Sequence, residues 1–276
     1  KTGWEQFPEP ILQGGDTWKC PGHGTLVTTA DSRYYYLYHS YNSTDFEYIG
    51  RQGMLDEVVW DNASGWPRFK NGNTPSARAK MPFAKTRQLR DSVYSDDFST
   101  DKNLMFWQWD LTKAKPEIKI QKGRLTLSSV QTGVAFTGIN PKTGNYSLEA
   151  ELAGGTVDES GICVYGNSQN LMALTVNKTK LILYQLKKGM KAVVAEAQLT
   201  ENAPVSLKLE AQHGRIYRFF YTTDQKNWIP LKIQNDYTID GNFLPQWGVG
   251  IRTGILVDGK VNETGSFSSI EINFAF

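Results

Sequence analysis

Apolar and polar residues alternate with a period of two along much of this chain, the pattern of half-buried β-strands. Leu207 and Leu209 alternate with Lys208 and Glu210, and near the end Ile270, Ile272 and Phe274 alternate with Ser269, Glu271 and Asn273. Towards the start, the stretch 20–69 holds strand-like runs at 25–29, 33–40 and 52–60, with a short fourth at 66–69. Tyr34, Tyr35, Tyr36 and Tyr38 blur the alternation of the second run, because a tyrosine ring packs while its hydroxyl reaches water. Sequential antiparallel strands of this kind form one propeller blade, which cannot bury both of its faces alone. The pattern therefore predicts a blade that belongs to something larger.

From Asp96 onward the runs are short and numerous: 125–129, 134–137, 146–152, 161–165, 171–176, 180–185, 191–196, 205–211, 215–223, 228–233, 248–253 and 266–276. Many short strands with turn residues between them predict a two-sheet sandwich, and its size fits the large jelly-roll type. No stretch reads as a helix. Gly, Pro, Ser and basic residues mix without a period over 70–95, which reads as a linker. The expected division is 1–73 for terminal strands and blade, 74–95 for the linker and 96–276 for the sandwich.

Composition adds exclusions. Of 276 residues, 39% are hydrophobic and 21% charged, an ordinary globular balance. The net charge of +2 is spread without a basic stripe, so nucleic acid is not an expected partner, and no apolar run is long enough for a membrane span. No targeting segment follows Lys1, so the chain is expected to start after any such segment or after a missing domain. Cys20 and Cys163 are expected as separate thiols, the second a small buried hydrophobe. Asn-x-Ser/Thr sites at Asn42, Asn62, Asn145, Asn177 and Asn262 matter only in a glycosylating host.

Several residues invite chemistry. His23 stands between two glycines, where a tight backbone turn lets a ring point into a cavity, as metal ligand or as hydrogen-bonding core group. Arg51 opens a strand and can grip a carboxylate or sugar hydroxyls in two places, or serve a plain ion pair, with Gln52 as its companion. His39 reads first as a packed or hydrogen-bonded strand residue, with approach to the pocket as the lesser alternative, and Trp18 and Cys20 as pocket wall or core. Asp16, Asp31, Asp56 and Asp61 are the acidic residues of the blade, and none reads as a catalytic acid or base. Phe106, Trp107 and Trp109 are either a sugar-stacking platform or buried contact residues, the second being favoured, and Trp228 and Trp247 read as core. Asp96 and Asp97, with Glu271 from the last strand, form a candidate calcium site of hard oxygen ligands.

The run Ile11-Leu12-Gln13-Gly14-Gly15, Trp18, Gly22-His23-Gly24-Thr25-Leu26-Val27 resembles the last blade of the five-bladed propeller of family 43 glycoside hydrolases. So does its continuation through Tyr36-Leu37-Tyr38-His39, Gly50-Arg51-Gln52, Leu55-Asp56, Val59-Trp60 and Gly65-Trp66-Pro67. Asp96-Asp97-Phe98, Trp107-Gln108-Trp109 and the strand 161–165 resemble the β-sandwich behind that propeller. The resemblance implies an all-β chain: part of a five-bladed β-propeller, its last blade, followed by a concanavalin-like, jelly-roll β-sandwich. It implies β-xylosidase, α-L-arabinofuranosidase or arabinanase chemistry by inversion, with carboxylates about 6.5–9.5 Å apart. Those carboxylates belong to earlier blades and have no match here, so this chain alone is expected to be inactive. By the same resemblance His23 faces a calcium ion on the propeller axis, and Arg51 lines the subsite of the released sugar. The expected partners are arabinoxylan, arabinan or xylo-oligosaccharide, and an N-terminal propeller portion in the same or a second chain. A polysaccharide substrate implies a secreted or periplasmic protein. The competing expectation is a stand-alone carbohydrate-binding sandwich with a residual blade.

Overall fold

A computed structural model describes residues 3–83, 92–155, 157, 159–200, 204–245 and 248–275, the side chain of Phe46 excepted. The chain divides into two compact units, Lys1–Arg90 and Asp91–Phe276. Trp247 and residues 84–91 of the expected linker lie outside the described residues. No described helix is long and apolar enough to cross a membrane.

The first unit is a four-stranded antiparallel sheet in chain order: β1 (Trp18–Thr28), β2 (Tyr34–Asn42), β3 (Gln52–Trp60) and β4 (Pro67–Phe69). A four-stranded meander in chain order is consistent with one propeller blade. A one-turn helix, α1 (Phe46–Ile49), joins β2 to β3 where no helix is expected from the sequence. The Asn42 side chain accepts the amides of Thr44 and Asp45 and so starts that turn locally. On one face of the sheet Tyr38, Val58 and Phe69 pack with Ile11 and Leu12. The Tyr38 hydroxyl donates to the buried Asp56 carboxylate at 2.7 Å, and the Ser76 amide donates to the same oxygen at 3.2 Å. The other face is left apolar and open. Val27, Leu37, Leu55 and Val59 alternate onto it and are 39–49% exposed, with Leu37 directly opposite Leu55.

The second unit is a sandwich. Its smaller sheet contains β8 (Gly133–Ile139), β10 (Glu159–Asn167), β11 (Asn170–Asn177), β12 (Lys180–Lys187), β13 (Met190–Gln198) and β18 (Arg252–Gly259), in the order β13-β12-β11-β10-β18-β8. The larger sheet runs β16-β15-β14-β9-β19-β7-β6. Its strands are β6 (Glu117–Ile120), β7 (Leu125–Ser128), β9 (Asn145–Gly155), β14 (Val205–Gln212), β15 (Ile216–Thr222), β16 (Ile229–Pro230) and β19 (Thr264–Ala275). Two short strands complete it: β5 (Val93–Asp96) against β19, and β17 (Ile239–Asp240) against β15. The sandwich strands thus open at Val93, ahead of the expected 96. A short 3₁₀ turn, Lys102–Phe106, is the other helical piece that the strand pattern leaves out.

Leu148, Leu207, Leu209 and Ile272 meet Ile162, Val164 and Val257 between the sheets, all at most 1% exposed. A Cβ on Gly265 of the larger sheet would strike Val257 and Ser160, which fixes that face of the smaller sheet as the inner one. Its opposite face carries Phe136, Cys163, Tyr165, Ala173 and Tyr184, and these too are buried. Phe136 and Tyr165 stack at 4.3 Å. Tyr165 donates to Asp110 at 2.8 Å, the Lys191 ammonium lies 4.0 Å above the Tyr184 ring, and Lys191 bridges Glu159 and Asp258 at 3.0 Å each. That face is plugged.

Two expected runs are corrected. The run 248–253 is replaced by Arg252–Gly259, and 228–233 shrinks to Ile229–Pro230. Gly254 and Gly138 face each other in neighbouring strands, and a Cβ on Gly138 would lie 2.3 Å from the Thr253 carbonyl oxygen. A glycine that reads as a strand end is here a strand interior where two backbones approach closely.

Candidate binding site on the four-stranded sheet

The site is built by an irregularity in β1. The register against β2 shifts between Lys19 and Gly22 and again between Gly22 and Thr25. Two bulges in succession bend the strand, and Cys20 and His23 both take φ of 49°. Only one of the two glycines around His23 is forced by packing. A Cβ on Gly24 would lie 2.5 Å from the Leu37 carbonyl oxygen and 2.6 Å from the Tyr38 Cβ, whereas Gly22 has open space.

The bulges bring His23 beside β2. Its ring centroid lies 6.3 Å from that of His39, and His39 meets Tyr41 edge-on at 6.0 Å. The Arg51 Nε donates to the Tyr41 hydroxyl at 3.0 Å. Four side chains, from β1, β2 and the residue just before β3, thus form one run: His23, His39, Tyr41, Arg51. Burial first, then the Arg51 charge and then His23, hold the His39 imidazole below its ordinary value, so it is neutral at neutral pH. Tyr41 is buried and Arg51 exposed. Among the described residues the two terminal nitrogens of Arg51 have no hydrogen-bond partner and no carboxylate pairs with it. The run offers one fixed positive charge and free donors to a ligand oxygen pair.

Of the residues expected from sequence, His23 and Arg51 are thereby joined. Gln52 spends its amide on the carbonyls of Ile49 and Gly50, at 3.3 and 3.5 Å. Trp18 is half-buried at the far end of β1, opposite Asn42, and no described ring contact links it to the run. His39, for which the pocket is only the lesser expectation, joins the run, and Tyr41 is the member that the sequence did not single out. The available signal was their spacing: two apart on one strand, they share a face. The blade's acids are otherwise engaged. Asp31 pairs with Arg33 at 2.8 Å, Asp61 with Arg68 at 3.0 Å, and Asp56 with Tyr38, while Asp16 is exposed.

The three acids proposed for calcium, Asp96, Asp97 and Glu271, all border one concavity on the larger sheet, but their carboxyl groups do not share one face of it. Asp96 stands opposite Ile270 in the β5–β19 pair and is buried, while Glu271 stands opposite Ser95 on the other face and is exposed. One residue of register separates the two faces of a sheet. Asp97 is turned to the Ser99 amide at 3.0 Å. No described group of three His, Cys, Asp or Glu side chains is arranged to hold a metal. At His23 the neighbouring donors are imidazole and phenol, a poor match for an ion that prefers many oxygen ligands. Among the described residues no side-chain set around His23 or around Asp96, Asp97 and Glu271 supplies the oxygen ligands calcium prefers.

That concavity, of about 520 Å³, is lined among others by Asp96, Asp97, Glu149, Glu151, Glu271 and Trp228. Lys208 answers Glu149 at 3.2 Å and lies 5.6 Å from the Trp228 ring. Trp228 is half-buried there, so it is not wholly core; nor are the three aromatics of 106–109 buried together, since Trp107 is 6% and Phe106 56% exposed. The two cysteines are free thiols, Cys20 exposed and Cys163 buried.

Residues 145–267 match the family described as the β-xylosidase C-terminal concanavalin A-like domain. No curated protein matches the chain. Among solved structures, the Bacillus licheniformis GH43 protein BlXynB is similar at TM-score 0.80 and 20% identity, over 99% of this chain and 58% of its own. A xylan β-1,4-xylosidase from Bacillus halodurans gives 0.76 and 18%, over 96% and 56%. The Bacteroides ovatus xyloglucan PUL protein GH43B gives 0.81 and 17%, over 99% and 58%. At such identities the likeness is one of fold. The chain spans a little over half the length of these proteins.

Proposed function

We infer, from a sandwich of the β-xylosidase C-terminal family and a fold shared with family 43 hydrolases along nearly the whole chain, that this is the C-terminal portion of a family 43 glycoside hydrolase. The blade closes a propeller whose other blades carry the acid and base carboxylates, and the substrate is an arabinose- or xylose-containing polysaccharide. The observation that carries this reading is the pairing of an open apolar sheet face with the run His23, His39, Tyr41 and Arg51. An isolated blade leaves that face in water, which a neighbouring blade relieves at roughly 25 cal/mol per Å². The guanidinium then supplies donors to a sugar at the floor of a pocket whose reactive groups come from elsewhere. A polymeric substrate favours an exported protein.

The test is hydrolysis of 4-nitrophenyl β-D-xylopyranoside and α-L-arabinofuranoside by this chain alone and by the chain joined to N-terminal blades. The chain alone should be inactive, and the joined protein should release sugar with inverted anomeric configuration, read by proton NMR. Hydrolysis by the chain alone, or retention, would sink the reading. The groove holding Trp228 and three glutamates keeps a second reading open, a carbohydrate-binding sandwich. Retarded migration of the chain in an arabinoxylan gel, lost in Trp228→Ala, would favour it. The plugged face of the smaller sheet, with Tyr165 and Tyr184 buried, speaks against binding there.

A further inference from the structure

We propose that Tyr41 is a positioning residue for Arg51, holding the guanidinium by its Nε so that both terminal nitrogens face a vicinal diol of the sugar. The inference rests on the hydrolase reading above and assigns a role to a residue that the sequence did not single out.

Arg51 follows Gly50, whose φ of 75° turns the chain out of α1 into β3. The side chain leaves an exposed position and would be free to sample many rotamers there, at an entropic cost to any ligand that must fix it. The Tyr41 hydroxyl removes part of that freedom. It accepts the Nε hydrogen at 3.0 Å from a ring that is 6% exposed, so the anchor end of the contact is itself fixed by packing. The His39 ring, edge-on against Tyr41 at 6.0 Å, closes the other side. A guanidinium offers two side-by-side donor pairs, Nε with one terminal nitrogen and the two terminal nitrogens with each other. The use of Nε by Tyr41 leaves Nη1 and Nη2 as a pair, spaced for two neighbouring oxygens. An unpaired cation held this way has no structural ion-pair duty among the described residues. A neutral diol fits better than a carboxylate of the substrate, because the pentosans of this reading carry hydroxyls on adjacent carbons.

A double-mutant cycle in the blade-complete protein tests the assignment. Tyr41→Phe should raise KM for the 4-nitrophenyl glycosides about tenfold with kcat within about twofold, and Arg51→Met should raise KM further. In Arg51→Met the added Tyr41→Phe should change nothing, since its effect passes through the guanidinium. Additive effects, or equal losses in kcat, would overturn the proposal. A wild-type protein that cleaves neither glycoside overturns the hydrolase reading instead. For that case the nitrogen-15 signal of the Arg51 Nε in the present chain decides separately: ordered in wild type and averaged in Tyr41→Phe supports the clamp. An unchanged signal refutes it.

Discussion

At Gly24 a single hydrogen decides the packing of β1 on β2. A methyl group there meets the Leu37 carbonyl at 2.5 Å and the Tyr36 ring at 2.7 Å, so Gly24→Ala should cost about 1–3 kcal/mol by overpacking. Gly22→Ala, with nothing within 4 Å, should change stability by less than about 0.5 kcal/mol. Urea unfolding followed at the blade's tyrosines compares the two, and equal losses would contradict the geometry. A second residue-scale contact is Asp110 with Tyr165, 55 residues apart. Burial pushes the Asp110 carboxyl up, but the Thr112 hydroxyl and amide and the Tyr165 hydroxyl outweigh it, and the net shift is downward. A carboxyl lowered by folding adds stability above its unfolded value of about 4, and loses it as pH falls through the folded value. Asp110→Asn should therefore flatten the decline of stability in that acidic window while wild type keeps its slope. Identical acid slopes would remove Asp110 from the account. Neither contact is visible in the sequence, because each depends on register or on a chain reversal.

At the scale of elements, β2 carries two different duties on its two faces. Tyr38 points to the packed face and donates to Asp56, whose second oxygen is buried without a partner among the described residues. Burial and that carboxylate push the Tyr38 hydroxyl far above the ordinary phenol range, so it stays protonated as donor. Tyr38→Phe leaves the Asp56 carboxylate with the Ser76 amide alone and should cost about 1–3 kcal/mol, measured by thermal melting of the blade. A loss much below that would mean water replaces the phenol. His39 and Tyr41 take the other face. The tyrosine-rich run 34–38 hides this division in the sequence, since every position there tolerates either face. The sandwich strands with clean alternation, β14 and β19, are by contrast legible residue by residue: Leu207 and Leu209 are fully buried and Ile270 and Ile272 nearly so.

For the whole molecule the open face of the blade is the feature with consequences. Leu37 and Leu55 sit opposite each other across β2 and β3, at 49% and 40% exposure. Replacing both by Thr keeps strand propensity and removes apolar area. The double variant should bind less of an apolar dye and aggregate less as an isolated chain, with its melting temperature nearly unchanged. It should also fail to assemble with N-terminal blades and lose the activity proposed for the joined protein. Assembly unaffected by the pair would assign the neighbouring blade to another surface.

The sequence by itself determined most of the strands, the division into a four-stranded unit and a sandwich, the single thiols and the likeness to family 43, because period-two burial and an ordered string of motif residues are local properties. It singled out His23 and Arg51 separately, one for a metal and one for a sugar. The tertiary structure alone decided that Asp96 and Glu271 lie on opposite faces, since one residue of register inverts a side chain. It alone placed Gly254 inside a strand and filled the outer face of the smaller sheet with Phe136, Tyr165 and Tyr184. It alone set Tyr41 under Arg51, because two bulges in β1 and a one-turn helix before β3 fix which side chains meet, and no period along the chain records them.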